Sequence, residues 1–120
     1  MLRPIPRRIL RSAATVRACT GVDMYQNQVY ETYTLSRVHL QPTSEIRKTA
    51  TNTDAQLRSI MFVDARISAP ALPWRELLVT AHAHGGDVRV IVRGEEYTVL
   101  TVDELRDDED MLHHWEIGLI

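Results

Sequence analysis

The last third of the chain restricts its fold more than any other stretch. Val88, Val90 and Val92 alternate with Arg89, Ile91 and Arg93, the period-2 pattern of a half-buried strand rich in β-branched residues. Gly94-Glu95 supplies a turn, and Tyr97 to Val102 is again β-branched and aromatic. Strands linked this tightly pair antiparallel. A lone hairpin is marginal in water, so it needs more sheet, and Leu112 to Ile120 can supply a third strand. Tyr97, Val99, Leu112 and Trp115 are the expected core contributors. An acidic loop, 103–111, separates the second strand from the third.

A chain of 120 residues, 44% hydrophobic and 25% charged, has the composition of one folded domain with a modest core. The expected division is an N-terminal arm over 1–10 and a single β domain over 11–120. No apolar run approaches the roughly 20 residues of a membrane-spanning helix, so no membrane is expected as a partner. One cysteine, Cys19, excludes an internal disulfide and a multi-cysteine zinc site.

The net charge of −2 hides a strong polarity. Residues 1–60 hold nine basic and four acidic side chains, a balance of +5; residues 61–120 hold five and twelve, a balance of −7. Arg3, Arg7, Arg8, Arg11 and Arg17 precede the first acid, and Asp103, Glu104, Asp107, Asp108, Glu109 and Asp110 crowd the acidic loop. Copies with opposite ends of opposite charge attract head to tail, and such contacts close into rings when the rotation permits.

Pro4 and Pro6 fix φ and remove amide donors, so the arm is read as extended, with a single helical turn over Pro6 to Leu10. Its arginines fit a partner-docked arm, a nucleic-acid contact, a mitochondrial presequence or a solvated tail; docking onto a partner is the reading carried forward. Ser12 to Thr20 and Gln28 to Leu40 read as strands, the second slipping register between Leu35 and Val38 as at a bulge. Gln41 to Ala55 is a polar loop without periodicity, longer than ordinary connections. Gln56 to Ile67 returns to strand. Trp74, Leu77, Leu78 and Ala81 follow the spacing of one buried helical face, with Pro73 to start the helix and Gly85 to close it, giving a helix over 73–84. The fold class expected is mainly β: a small barrel or sandwich of five to six mostly antiparallel strands with one short helix.

Catalytic chemistry finds little support. His82, His84, His113 and His114 could build a metal site with Glu116, yet His82 and His84 on a helix point about 200° apart. Cys19 among alanines reads as a small buried hydrophobe rather than a nucleophile. There is no G-x-S-x-G, no phosphate-binding glycine loop and no H-E-x-x-H. A metal-dependent enzyme built on the histidines, and a nucleic-acid-binding or organelle-targeted protein built on the arginine arm, remain the alternative classes.

One family accounts for the order of landmarks. Pro4-Ile5-Pro6-Arg7-Arg8-Ile9-Leu10 precedes Thr20-Gly21; then come Val38-His39-Leu40-Gln41-Pro42 and Ser59-Ile60-Met61-Phe62-Val63-Asp64. The chain ends with Gly94-Glu95-Glu96-Tyr97-Thr98-Val99 and Leu112-His113-His114-Trp115-Glu116-Ile117-Gly118-Leu119. This series resembles the minor capsid proteins of tailed bacteriophages, small head–tail connector subunits; Trp74 to Gly86 is longer than expected for them. The resemblance implies a non-enzymatic stopper or head-completion protein in the neck at the portal vertex, assembled in the host cytoplasm, with no cofactor. It implies a ring, six-fold, touching portal-adaptor proteins above, tail-terminator or tail-tube proteins below, and packaged double-stranded DNA in the channel. The expected assembly surfaces are the arm (Arg3, Arg7, Arg8, Arg11) and the acidic loop (Asp107, Asp108, Glu109, Asp110). The polar loop, through Thr43, Ser44, Arg47, Lys48, Asn52 and Asp54, is the segment expected to face the channel.

Overall fold

The computed structural model describes residues 3–6, 8–48 and 52–120. Among these residues, eight strands and one helix follow in the order β1 Ser12–Val22, β2 Gln28–Pro42, β3 Ile46–Lys48, β4 Asp54–Gln56, β5 Ser59–Asp64, α1 Trp74–Ala83, β6 Val88–Val92, β7 Glu95–Arg106 and β8 Leu112–Leu119. Six of the strands pair in the order β1-β2-β5-β8-β7-β6, every pair antiparallel. β6 returns to β1, with Thr15 opposite Ile91 and Ala18 opposite Val88, so the sheet closes into a barrel. Of the two architectures expected, barrel and sandwich, it is the barrel.

Alternation builds the core. Val88, Val90 and Val92 are buried from β6, and Ala14, Val16 and Ala18 meet them from β1. Leu35, Met61, Val63, Tyr97, Val99, Ile117 and Leu119 complete the interior, and Trp115 packs against it from a partly exposed position. Each large aliphatic side chain removed from water here contributes roughly 1.5–3 kcal/mol. Arg89, between two buried valines, instead meets Asp87 and Glu96 on the outside.

Several local expectations shift. The turn between β6 and β7 is Arg93-Gly94, both with positive φ (52° and 79°), and Val92 pairs with Glu95. Two such residues form the turn that matches strand twist. β7 runs on to Arg106, so Asp103 and Glu104 belong to the barrel wall and the acidic turn begins only at Asp107. The strand expected over 56–67 is shorter, Ser59–Asp64, because Asp64 turns the chain with its own carboxylate. The polar loop is not without structure: β3 and β4 pair as a small hairpin, Ile46 opposite Gln56 and Lys48 opposite Asp54. The β2 bulge falls where the register slips, with Ser12 opposite Val38 and Ala14 opposite Leu35, and Arg37 takes a φ of 61°.

Helix α1 packs chiefly on β1, burying Trp74 and Ala81 with Leu77 and Leu78 partly covered. It ends in a two-bond cap: Gly86 N–H donates to Ala81 O (2.8 Å) and Gly85 N–H to His82 O (3.1 Å), with Gly85 at φ 72°. Gly86 also lets the chain pass Cys19, since a Cβ there would lie 2.6 Å from the sulfur. Leu10, the last residue of the arm, is fully buried.

Candidate assembly surfaces

Among the described residues, the backbone of the arm is tied to the barrel at two points. Ile5 N–H donates to Asp64 Oδ2 at 2.7 Å, and Arg3 O accepts from His113 Nε2 at 2.5 Å. Asp64 is 1% exposed. Its other oxygen accepts from the N–H groups of Arg66 (2.8 Å) and Ile67 (2.9 Å), while its own N–H donates to Ser68 Oγ (2.9 Å). One buried carboxylate thus ends β5, shapes the turn after it and fixes the arm. Three backbone N–H groups therefore converge on this one buried side chain. Ile9 N–H to Pro6 O (2.9 Å) closes the helical turn. Arg3, Arg8 and Arg11 point to solvent, with Arg11 Nε donating to Arg8 O (2.5 Å); Arg7 lies outside the described residues.

Among the described residues, Arg47 ties the β3–β4 hairpin to the barrel wall. Asp103 on β7 and Glu116 on β8 face each other across the barrel wall. Two carboxylates directly opposite repel. Arg47 on β3 reaches both, Asp103 through Nη1 and Glu116 through Nη2 (3.4 Å), and meets Glu45 at 3.1 Å as well. Burial works against the Arg47 charge, but the hydrogen bonds and fields of Glu45, Asp103 and Glu116 outweigh it and hold the guanidinium above its ordinary pKa. Of the residues expected to face a channel, Arg47 is therefore turned to the barrel. Lys48 and Asp54 pair with each other at 2.9 Å across the hairpin. Asn52 is exposed at φ 61°. Thr43 and Ser44 belong to the neck, where Thr43 N–H meets Arg58 O (3.1 Å), Ser44 O accepts from Gln56 Nε2 (3.3 Å) and Leu57 N–H meets Glu45 O (2.9 Å).

The histidine pair joins these two attachments. His113 Nδ1 and His114 Nδ1 are 2.7 Å apart, and His114 Nε2 is 3.2 Å from Glu116 Oε2. A line of contacts therefore runs from the arm at Arg3 through His113, His114 and Glu116 to Arg47. His82 stands in the last turn of α1 and His84 just beyond it, both exposed. The four histidines are thus divided between the helix end and β8. No group of three His, Cys, Asp or Glu side chains able to hold a metal ion occurs among the described residues.

The acidic turn divides into one inward and three outward residues. Asp107 is 9% exposed, and its Oδ1 accepts from the N–H groups of Glu109 (2.9 Å) and Met111 (3.0 Å). It holds the turn together; Asp108, Glu109 and Asp110 are the exposed acids.

A fourth projection, at the turn that Gly21-Val22-Asp23 opens, was not among the expected assembly surfaces. β2 pairs with β5 only from Val38 onward, and β1 pairs with β6 only from Thr15 to Ala18. The two strands continue together to Val22 opposite Gln28 as a ribbon beyond the barrel. Its turn is built by Asp23, whose Oδ1 accepts from the N–H groups of Tyr25 (2.8 Å) and Asn27 (2.9 Å). At the tip Met24 and Tyr25 are 84% and 77% exposed. Two large apolar residues inside an Asp-to-Asn turn were the visible signal in the sequence.

A closed barrel carrying an arm, a pinned hairpin and an apolar-tipped ribbon suits a part that assembles with others. The minor capsid protein family matches residues 6–119. The chain belongs to that family. As a minor capsid protein it is a structural component of the virion. No curated protein and no solved structure matches the chain.

Proposed function

We propose that this minor capsid protein is a ring-forming head–tail connector subunit of the stopper type, placed in the neck at the portal vertex. In this reading it sits between the portal-adaptor proteins and the tail-terminator or tail-tube proteins and helps to retain packaged double-stranded DNA. The observation that carries it is the β3–β4 hairpin, a polar element held against a closed barrel by Arg47 and closed at its neck by Leu57 and Glu45. Such an element can swing while the barrel stays intact. The exposed arginines of the arm and the exposed acids after β7 supply opposite charges for contacts between unlike surfaces.

The hairpin can be excised where its neck closes, replacing residues 46–56 by a short Gly-Ser link. Phage carrying that deletion should fill heads and then lose DNA; unchanged retention would sink the gating role. Reversing the arm charges at Arg3, Arg8 and Arg11 to Glu should block incorporation, and normal virion content of the variant would count against the arm as a docking element.

A further inference from the structure

We propose that the β1–β2 tip of one copy seats in an apolar cavity of the next copy. This inference rests on the ring reading and names the contact that would build the ring. The cavity, about 110 Å³, lies where β5 and β8 end and the chain crosses to α1, among Val63, Leu72, Trp74, Leu112, Trp115 and Ala71. Its lining is mostly apolar. The tip is the converse: two large side chains held outward by a turn that Asp23 fixes, so little conformational freedom is lost when they dock.

One chain cannot satisfy itself. Ser36 pairs with Ala69 beside the cavity, and it stands eight residues along β2 from Gln28. That is about 26 Å of extended strand, with the tip farther still. A tip seated there therefore belongs to a second copy. Because tip and cavity are different surfaces, the contact is heterologous and repeats from copy to copy, as a ring requires. Tyr25 fits better than Met24 on one further ground. Trp74 and Trp115 line the cavity, and a tyrosine ring can pack against theirs.

The test is a cysteine pair, Tyr25→Cys with Ala71→Cys, in the full chain. Both positions are exposed, so folding should be undisturbed, and the native Cys19 is buried. Mild oxidation of the concentrated protein should give a ladder of covalent multimers in the double variant and none in either single variant. Absence of a ladder would overturn the contact, and so would a dimer of Tyr25→Cys alone, which means tip to tip. Electron micrographs of the wild-type protein separate this from the ring reading. Rings without a ladder remove the tip contact and keep the ring; a ladder without rings keeps the contact and removes the ring. Tyr25→Asp should lower self-association at least tenfold while Tyr25→Phe keeps it near the wild-type level, and equal association of the Asp variant and the wild type would also overturn the proposal.

Discussion

The two ribbons that leave the barrel are built on opposite principles. The β3–β4 hairpin is polar, contributes three residues per strand and is fastened to the wall by Arg47. The β1–β2 ribbon continues two wall strands, is tied to the segment after α1 by Gln28 Nε2 donating to Gly85 O (2.7 Å), and carries Met24 and Tyr25 outward on a backbone fixed by Asp23. A part held by one ion cluster can be released; a part that is a continuation of the wall can only be presented. The contrast assigns motion to the first ribbon and docking to the second, and both differ from the barrel that holds them.

The barrel should respond most. Leu35 is fully buried at the point where β2 leaves its β5 pairing. Leu35→Ala should cost about 2–5 kcal/mol in urea unfolding. A loss near zero would mean that the wall does not close at that level. Asp64→Ala comes next. It strands the N–H groups of Ile5, Arg66 and Ile67, and should cost about 3 kcal/mol while freeing the arm. Protease cleavage near Arg8, absent in the wild type, would report the arm; a resistant arm would show that Leu10 alone holds it.

Much of the barrel was legible because its strands obey a period of two, and the valines of β6 state it plainly. The helix was legible from Trp74, Leu77, Leu78 and Ala81. What stayed hidden was set by single polar contacts across distance. Nothing in Asp-Ala-Arg-Ile-Ser announces that Asp64 will bind an amide 59 residues away. Arg47 reads as one more polar loop residue until Asp103 and Glu116 are found opposite each other. The hairpin of β3 and β4 has too few residues per strand to show a period. The acidic loop reads as one charged surface because composition does not distinguish Asp107, turned inward, from its neighbours.

Arg47→Ala sharpens the difference between the ribbons. It should cost only about 1 kcal/mol of global stability, since the ion pairs are partly exposed. It leaves Asp103 and Glu116 facing each other without a cation, so adding Asp103→Asn should recover part of the loss. Amide exchange in β3 and β4 should accelerate at least tenfold while β1–β2 is unchanged. Equal acceleration in both ribbons would erase the distinction drawn between them.

The smallest effect is the most specific, because it touches no side chain. Ser36 exchanges backbone hydrogen bonds with Ala69 on the edge of β2 away from β1 (2.7 and 3.3 Å). Backbone groups alternate in direction along a strand, so Thr34, Thr32 and Tyr30 point the same way. Below Ser36 that edge pairs with no described strand, whereas Leu35, Tyr33 and Glu31 face β1. In the isolated chain, amide exchange along β2 should therefore alternate, fast at Tyr30, Thr32 and Thr34 and slow at Glu31, Tyr33 and Leu35. Above Val38, where β5 covers the edge, the alternation should vanish. If assembly docks only the tip, the fast amides stay fast in the ring. If they slow together, the neighbouring copy lies along the whole ribbon, and the open edge joins Tyr25 as part of one interface.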